Sequence, residues 1–413
     1  MLFDQKHFLI PSRAIPLFFV LISMSVSALI GTDFWIVPNQ SRYFMLIRYF
    51  PIIIGCISII LSSIIFRRFN LLNCIFTAIK TNRYWALFFV IALPGSIYAK
   101  FILHKETTYL SQVLSLLLFF VGYAVLDMVP NKYLLLIQKW ILSWFGLVSL
   151  LAIIKVILNI ILNLKTEPAT VLLLMQSFGL AFYGLTGSLK LLSILLLSVF
   201  SILTYKNVAI LSLFILLMLF IVFPNTRGKI TKTYLVIILI ILFLMGIVGI
   251  GMYSAVESYF SSGHVDFRYQ NIMYQLDVFL QSPIWGQFFT GETGIYFGRT
   301  ELLGNIYVPT HNDWVDVMAQ GGLIGSVLLM GGFLHFIIKL VKVSKNILQK
   351  DSYFFITIRW IMVFSTVFVI TSSLNSILGS PSIAMIGWFV FALGHKLIDY
   401  IKWDYMSRVY DSV

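Results

Sequence analysis

His311 is the residue whose type and setting most readily offer chemistry. It stands in Val308-Pro309-Thr310-His311-Asn312-Asp313-Trp314-Val315-Asp316, a polar stretch directly ahead of an apolar run. Thr310 followed three residues later by Asp313 reads as a capping box, which puts His311 and Asn312 in the first turn of a short helix that Gly321 and Gly322 interrupt. A helix N-terminus disfavours the imidazolium form, so His311 is expected to be neutral and able to take a proton near pH 7. Two cations complement it. Arg268 opens an amphipathic stretch, and Lys206 lies in the tight connection Leu203-Thr204-Tyr205-Lys206-Asn207. Arg and Lys hold phosphate oxygens and offset charge on a leaving group, so two cations and a neutral base at a membrane surface suit a lipid pyrophosphate donor, with no metal required. Each residue also has a plainer reading: His311 as partner of a loop carbonyl, Lys206 as a cation snorkelling to headgroups, Arg268 as a solvated helix residue. His264, in Ser261-Ser262-Gly263-His264, reads as a structural loop group, and Asp313 and Asp316 as cap and helix-surface groups rather than acids.

The elements that must position these residues are membrane spans. Of the 413 residues, 60% are apolar and 11% charged, with a mean hydropathy of +0.95, whereas charged residues make up about a quarter of a soluble domain. The chain reads as a polytopic membrane protein. The two cysteines, Cys56 in an apolar run and Cys74 in a basic loop, offer neither a disulfide pair nor metal-ligand spacing. A net charge of +13 is accounted for by the Lys and Arg excess of cytoplasmic loops, so no nucleic-acid partner is assigned. The first apolar run, 14–37, exceeds a signal-peptide core and shows no clear cleavage site, and it is expected to be a retained span.

Runs of about 20 apolar residues place spans near 14–36, 45–66, 84–103, 109–128, 140–163, 187–203, 208–224, 233–252, 322–342, 355–374 and 378–398. A short candidate lies at 171–184. Basic clusters at Lys6 and Arg13, at Arg67 to Arg83, at Arg227 to Lys232, at Lys339 to Lys350 and at Lys396 to Arg408 mark the cytoplasmic sides. Putting all of them and both termini inside requires the short segment to cross, which makes about 12 spans in a single membrane domain over 1–413. The long segment 253–321 then faces outward, and its length marks it as functional. Within it, Tyr269, Ile272, Met273, Leu276, Phe279 and Leu280 recur at helical spacing with Gln270, Asn271, Gln275 and Asp277 opposite, and Ser282-Pro283-Ile284-Trp285-Gly286 stops the helix. Arg48, Lys155, Lys190 and Arg359 fall inside spans, so they line the bundle interior or snorkel.

These residues resemble a family. His311-Asn312, nine further residues, then Gly322-Leu323-Ile324-Gly325 complete the His-Asn-x9-Gly-x-x-Gly pattern of the O-antigen ligase and O-antigen polymerase superfamily. Arg268 and Ser282 to Gly286 resemble that family's Arg, amphipathic helix and Asn-Pro-x-x-Gly segment. The match departs at Tyr205-Lys206, where the family has Ser-Arg, and at Gly286-Gln287-Phe288, where it has Gly-x-Gly. The resemblance, good over about 185–345, implies an all-α, GT-C-like glycosyltransferase of the bacterial inner membrane with a periplasmic active site and no cofactor. It implies His311 as general base, Arg268 and Lys206 on the pyrophosphate of an undecaprenyl-linked oligosaccharide donor, and Asn312, Gly322 and Gly325 in support. The acceptor separates a repeat-unit polymerase, the reading favoured here, from a ligase to lipid A core. Membrane lipids and other polysaccharide-assembly membrane proteins are the expected partners. A secondary transporter is the rival class, but no matched pair of broken spans in two halves signals an inverted repeat.

Overall fold

The computed structural model describes residues 12–30, 42–66, 71–105, 109–161, 264–292, 294–298, 305–309, 312–346, 353–374, 378 and 380–410. Among them the helices are α1 (Ile15–Ile30), α2 (Arg42–Phe66), α3 (Leu71–Thr81), α4 (Arg83–Ile97), α5 (Tyr109–Asp127), α6 (Leu134–Ile161), α7 (His264–Gln281), α8 (Asp313–Asn346), α9 (Tyr353–Leu374) and α10 (Pro381–Tyr410). Among the described residues, five segments are long and apolar enough to cross a membrane: Ile47–Ile64, Arg83–Ile102, Tyr109–Asp127, Asp313–Val343 and Pro381–Lys402. The expected spans at 171–184, 187–203, 208–224 and 233–252 lie outside the described residues.

Helix boundaries depart from expectation where backbone chemistry overrides hydropathy. The basic loop expected around Cys74 contains α3 instead, since helicity does not need an unbroken apolar run. Pro94 lies inside α4, and the chain answers with a π-helical turn, Tyr98–Ile102, that closes with Leu103 N donating to Tyr98 O; proline lacks the N–H and crowds the carbonyl four residues back. Pro381 opens α10 at a first helical position, where its missing donor is not needed, and α10 runs on to Tyr410, twelve residues beyond the expected end of that span.

The bundle is built around α5 and α10. Pro381 to Ile398 are buried without interruption, as befits a helix apolar on all sides. Small residues allow the close approach: a Cβ on Gly332 would meet Trp85 Nε1 at 2.2 Å, and one on Gly387 would meet Phe368 Cε2 at 2.2 Å. Trp85 sits at the centre, edge-on to Phe119, Phe333 and Trp388 at centroid distances of 4.8, 5.1 and 5.0 Å. Its indole donates to Leu329 O at 3.2 Å, and Asn82, which caps α4, donates to Gly332 O at 3.1 Å. Several charged groups within the helices find partners inside the protein. Lys396 pairs with Asp127, Tyr123 donates to Asp399 Oδ2 at 2.7 Å, Lys339 to Thr81 O at 2.9 Å, and Lys155 to Leu29 O at 2.8 Å. Lys155 thus faces inward, as expected; Arg48 is half-buried, and Lys190 lies outside the described residues.

Besides the helices there is a feature absent from the expectation. Two short strands, β1 (Gly294–Gly298) and β2 (Asn305–Pro309), pair antiparallel with Gly294 opposite Pro309. Ile295-Tyr296-Phe297 and Ile306-Tyr307-Val308 are β-branched and aromatic runs, but they are too short to stand out in a chain apolar nearly throughout.

Candidate active site

The motif region is a helix broken once and repaired by a neighbouring turn. Asn312, not Thr310, caps α8: its Oδ1 accepts from Trp314 N at 3.1 Å and Val315 N at 3.2 Å, and its carbonyl accepts from Asp316 N. The expected helix start is therefore corrected by two residues, which puts Asn312 at the cap and His311 ahead of it rather than in the first turn, because the amide oxygen reaches two orphan N–H groups at once. Asp313 does more than the expected capping. It is fully buried, accepting from Gln112 Nε2 at 3.0 Å and from Leu378 N at 2.7 Å, which ties α5 and the approach to α10 onto the start of α8. Asp316, expected on the surface, is 1% exposed.

The interruption expected at Gly321 and Gly322 is present at Gly322, with φ 60° and ψ −159°, a region open essentially to glycine alone. A break frees backbone groups that must find other partners. The turn following α7 supplies them: Leu323 N donates to Pro283 O at 2.8 Å, Ile324 N to Ile284 O at 3.2 Å, and Phe289 N to Gln320 O at 3.0 Å. The two backbones touch. A Cβ on Gly322 would lie 2.4 Å from Ile284 O, and one on Gly286, itself at φ 62°, 2.5 Å from Gln320 O. The Pro-x-x-Gly segment and the first glycine of Gly-x-x-Gly are thus one interlocked unit. Gly325 contributes differently, leaving room for the Phe289 ring, whose Cζ would sit 3.2 Å from an added Cβ.

Phe288 and Phe289 both have positive φ, 52° and 61°, which costs a bulky residue about 1–3 kcal/mol. Phe288 stands where the resembling family has the second glycine of Gly-x-Gly, and the left-handed backbone is present despite the side chain. The surroundings enforce it: Phe289 is buried against Phe88 and Tyr109, and the Phe288 carbonyl lies so close to Gly95 that a Cβ there would be 1.8 Å away. The outer side of the turn is apolar and uncovered by protein, with Leu280, Ile284, Trp285 and Phe288 each more than half exposed and the last two rings stacked at 5.8 Å.

α7 does not divide cleanly by polarity. Asn271 and Gln275 are fully buried, whereas Met273, Tyr274 and Leu280 are exposed beside Gln270 and Asp277. A buried amide must find hydrogen-bond partners. Gln275 Nε2 donates to Glu292 O at 3.1 Å, Gln320 Nε2 donates to the same oxygen at 3.2 Å, and Gln320 Oε1 accepts from Gly291 N at 2.8 Å.

Of the residues singled out from sequence, the structure brings together Asn312, Gly322 and Gly325 on α8. Arg268 lies on α7, and α7 packs against α8. His264, expected in a loop, is the first residue of α7. His311 and Lys206 lie outside the described residues. Gln112, Gln275 and Gln320 were missed; lone glutamines in apolar helices are the signal that could have found them, since an amide there must have a partner.

No curated protein was found to match the sequence. Residues 192–330 match the model of a family described as O-antigen ligase, a stretch that contains Lys206, Arg268, His311 and the broken helix start, and this match supports the O-antigen ligase and polymerase superfamily.

Proposed function

We propose that the chain is an inverting membrane glycosyltransferase that transfers an undecaprenyl-pyrophosphate-linked glycan to an acceptor hydroxyl without a metal. The family match supports O-antigen ligase or polymerase activity. What carries the finer reading is the coincidence of the family's motif with a built device: within the matched residues, Asn312 caps a helix start that Gly322 breaks and the 283–289 turn repairs. In this reading His311, the residue before the cap, takes the acceptor proton. Attack at the anomeric carbon displaces undecaprenyl pyrophosphate, whose charge Arg268 and Lys206 offset. Lys is a point charge without the guanidinium fork, so Lys206 contributes the less directional half of that contact. The segment 253–321 is the extracytoplasmic, catalytic part of a single domain in the bacterial inner membrane, with both termini cytoplasmic.

The acceptor in this proposal is a second lipid-linked repeat unit, which makes the enzyme a surface-polysaccharide polymerase. A ligase to lipid A core is the second reading, favoured by the description of the matched family. Purified His311→Gln, which keeps a polar side chain but no base, tests the mechanism: a general base is worth about a hundred- to ten-thousandfold, so turnover should be nearly absent while the donor still binds. Substantial turnover would remove His311 from that role. The glycan of a deletion strain separates the two acceptors: lipid A core bearing one repeat unit indicates a polymerase, and polymer retained on the lipid carrier indicates a ligase.

A further inference from the structure

We propose that Gln275 and Gln320 are positioning residues: two buried amides clamp the Glu292 carbonyl and, through the β1–β2 pairing, set where β2 ends at Pro309, two residues ahead of the motif histidine. The inference rests on the reading of His311 as the base. Gln275 is 0% and Gln320 1% exposed, so neither meets solvent or substrate. Both Nε2 groups converge on one oxygen, at 3.1 and 3.2 Å, and Gln320 Oε1 closes the unit by accepting from Gly291 N. Gly291 has no room for a side chain, since a Cβ there would fall 2.5 Å from the Gln320 amide. Among the described residues Gln275 Oε1 has no hydrogen-bond partner. A buried unsatisfied acceptor is costly, and what the amide supplies that leucine would not is the N–H given to Glu292.

The chain beyond the clamp explains its use. Glu292 is two residues ahead of Gly294, Gly294 is paired with Pro309, and residue 311 is two beyond Pro309. On the far side Asn312 caps α8 and Asp313 is tied to Gln112 and Leu378. In sequence the motif histidine thus falls between two described anchors: Asn312, the helix cap, and Pro309, the end of a hairpin whose root hangs on two amides from different helices. Gln320 is also the residue whose backbone carbonyl receives Phe289 N at the break, so the clamp and the repaired helix share a residue.

The test uses the full chain in membrane-mimetic solution, with Cys56 and Cys74 replaced by serine and nitroxides at Asn305→Cys in β2 and Leu334→Cys on α8. Gln275→Met keeps the volume and removes both donor and unsatisfied acceptor. Gln320→Glu keeps an acceptor for Gly291 N and loses the donor; if it does not fold, Gln275→Met carries the test alone. Misplacing a reacting group by about 1 Å can cost on the order of a hundredfold. Each variant is thus expected to widen the label-to-label distance distribution and to lower kcat about tenfold or more, with the donor KM within about twofold of wild type. An unchanged distribution, or a widened one with unchanged kcat, overturns the proposal. If the variants widen the distribution and lose turnover while His311→Gln stays active, the clamp stands and the assignment of the base falls.

Discussion

Replacing Gly322 with alanine tests whether the break in α8 is a built element or an accident of sequence. At φ 60° and ψ −159° any residue with a Cβ is strained by about 1–3 kcal/mol. The new methyl would also lie 2.4 Å from Ile284 O, 2.5 Å from Ile284 C and 2.6 Å from Gly286 N. These are backbone atoms that no rotamer change can move. Relief requires lifting the 283–286 turn off the break, which severs Leu323 N to Pro283 O and Ile324 N to Ile284 O, each worth about 0.5–1.5 kcal/mol net. The expected loss is about 3 kcal/mol or more, a factor of roughly a hundred or more in the folding equilibrium. Gly325→Ala, in the same motif, meets only the edge of the Phe289 ring at 3.2 Å and should cost about 1 kcal/mol. The measurement is unfolding of the purified full chain by denaturing detergent in mixed micelles, followed by tryptophan fluorescence. Gly286→Ala perturbs the same contact, so the Gly286→Ala, Gly322→Ala double variant should lose clearly less than the two single losses together. If Gly322→Ala unfolds at the same midpoint as Gly325→Ala, the interlock does not hold the site and the reasoning fails.

Asn312→Ala should lower stability by about 1 kcal/mol, with Asn312→Asp close to wild type; an alanine variant as stable as wild type in the same assay would remove the cap from the argument. Lys206→Ala and Arg268→Ala should each weaken donor use about ten- to a hundredfold, from the roughly 1.5–3 kcal/mol of a charged hydrogen bond, while Lys206→Arg preserves it. Full activity of Lys206→Ala at limiting donor would refute the two-cation site. In intact spheroplasts, a cysteine at exposed Asp277 should react with an impermeant thiol reagent, and one at Trp285, in the apolar uncovered patch, should react only after detergent; labelling at Asp277 only after lysis would reverse the orientation. Thr290 is a poorer probe because it is half-buried and donates to Gln287 O.

Much of the frame was legible because a membrane span declares itself in one dimension. The runs expected at 45–66, 109–128 and 355–374 coincide with α2, α5 and α9 to within a few residues, since a bilayer demands length and apolarity irrespective of neighbours. The double glycine correctly marked a break. The cap was placed at Thr310, whereas Asn312, two residues on, satisfies two N–H groups with one amide oxygen. The burial of Asn271 and Gln275 could not be read from the pattern of α7, because it depends on what neighbouring segments offer their amides.

By itself, then, the sequence determined that this is a membrane protein, where most described spans run, and which superfamily's motif it carries, because these depend on composition and local spacing. Only the tertiary structure decided that the Pro-x-x-Gly turn and the Gly-x-x-Gly helix start are one object, that two glutamines hold the root of the hairpin, and that Phe288 is forced into a backbone region suited to glycine. Those features arise where segments far apart in the chain meet at backbone distance. The energy of such a meeting belongs to the pair, and no pattern within either segment records it.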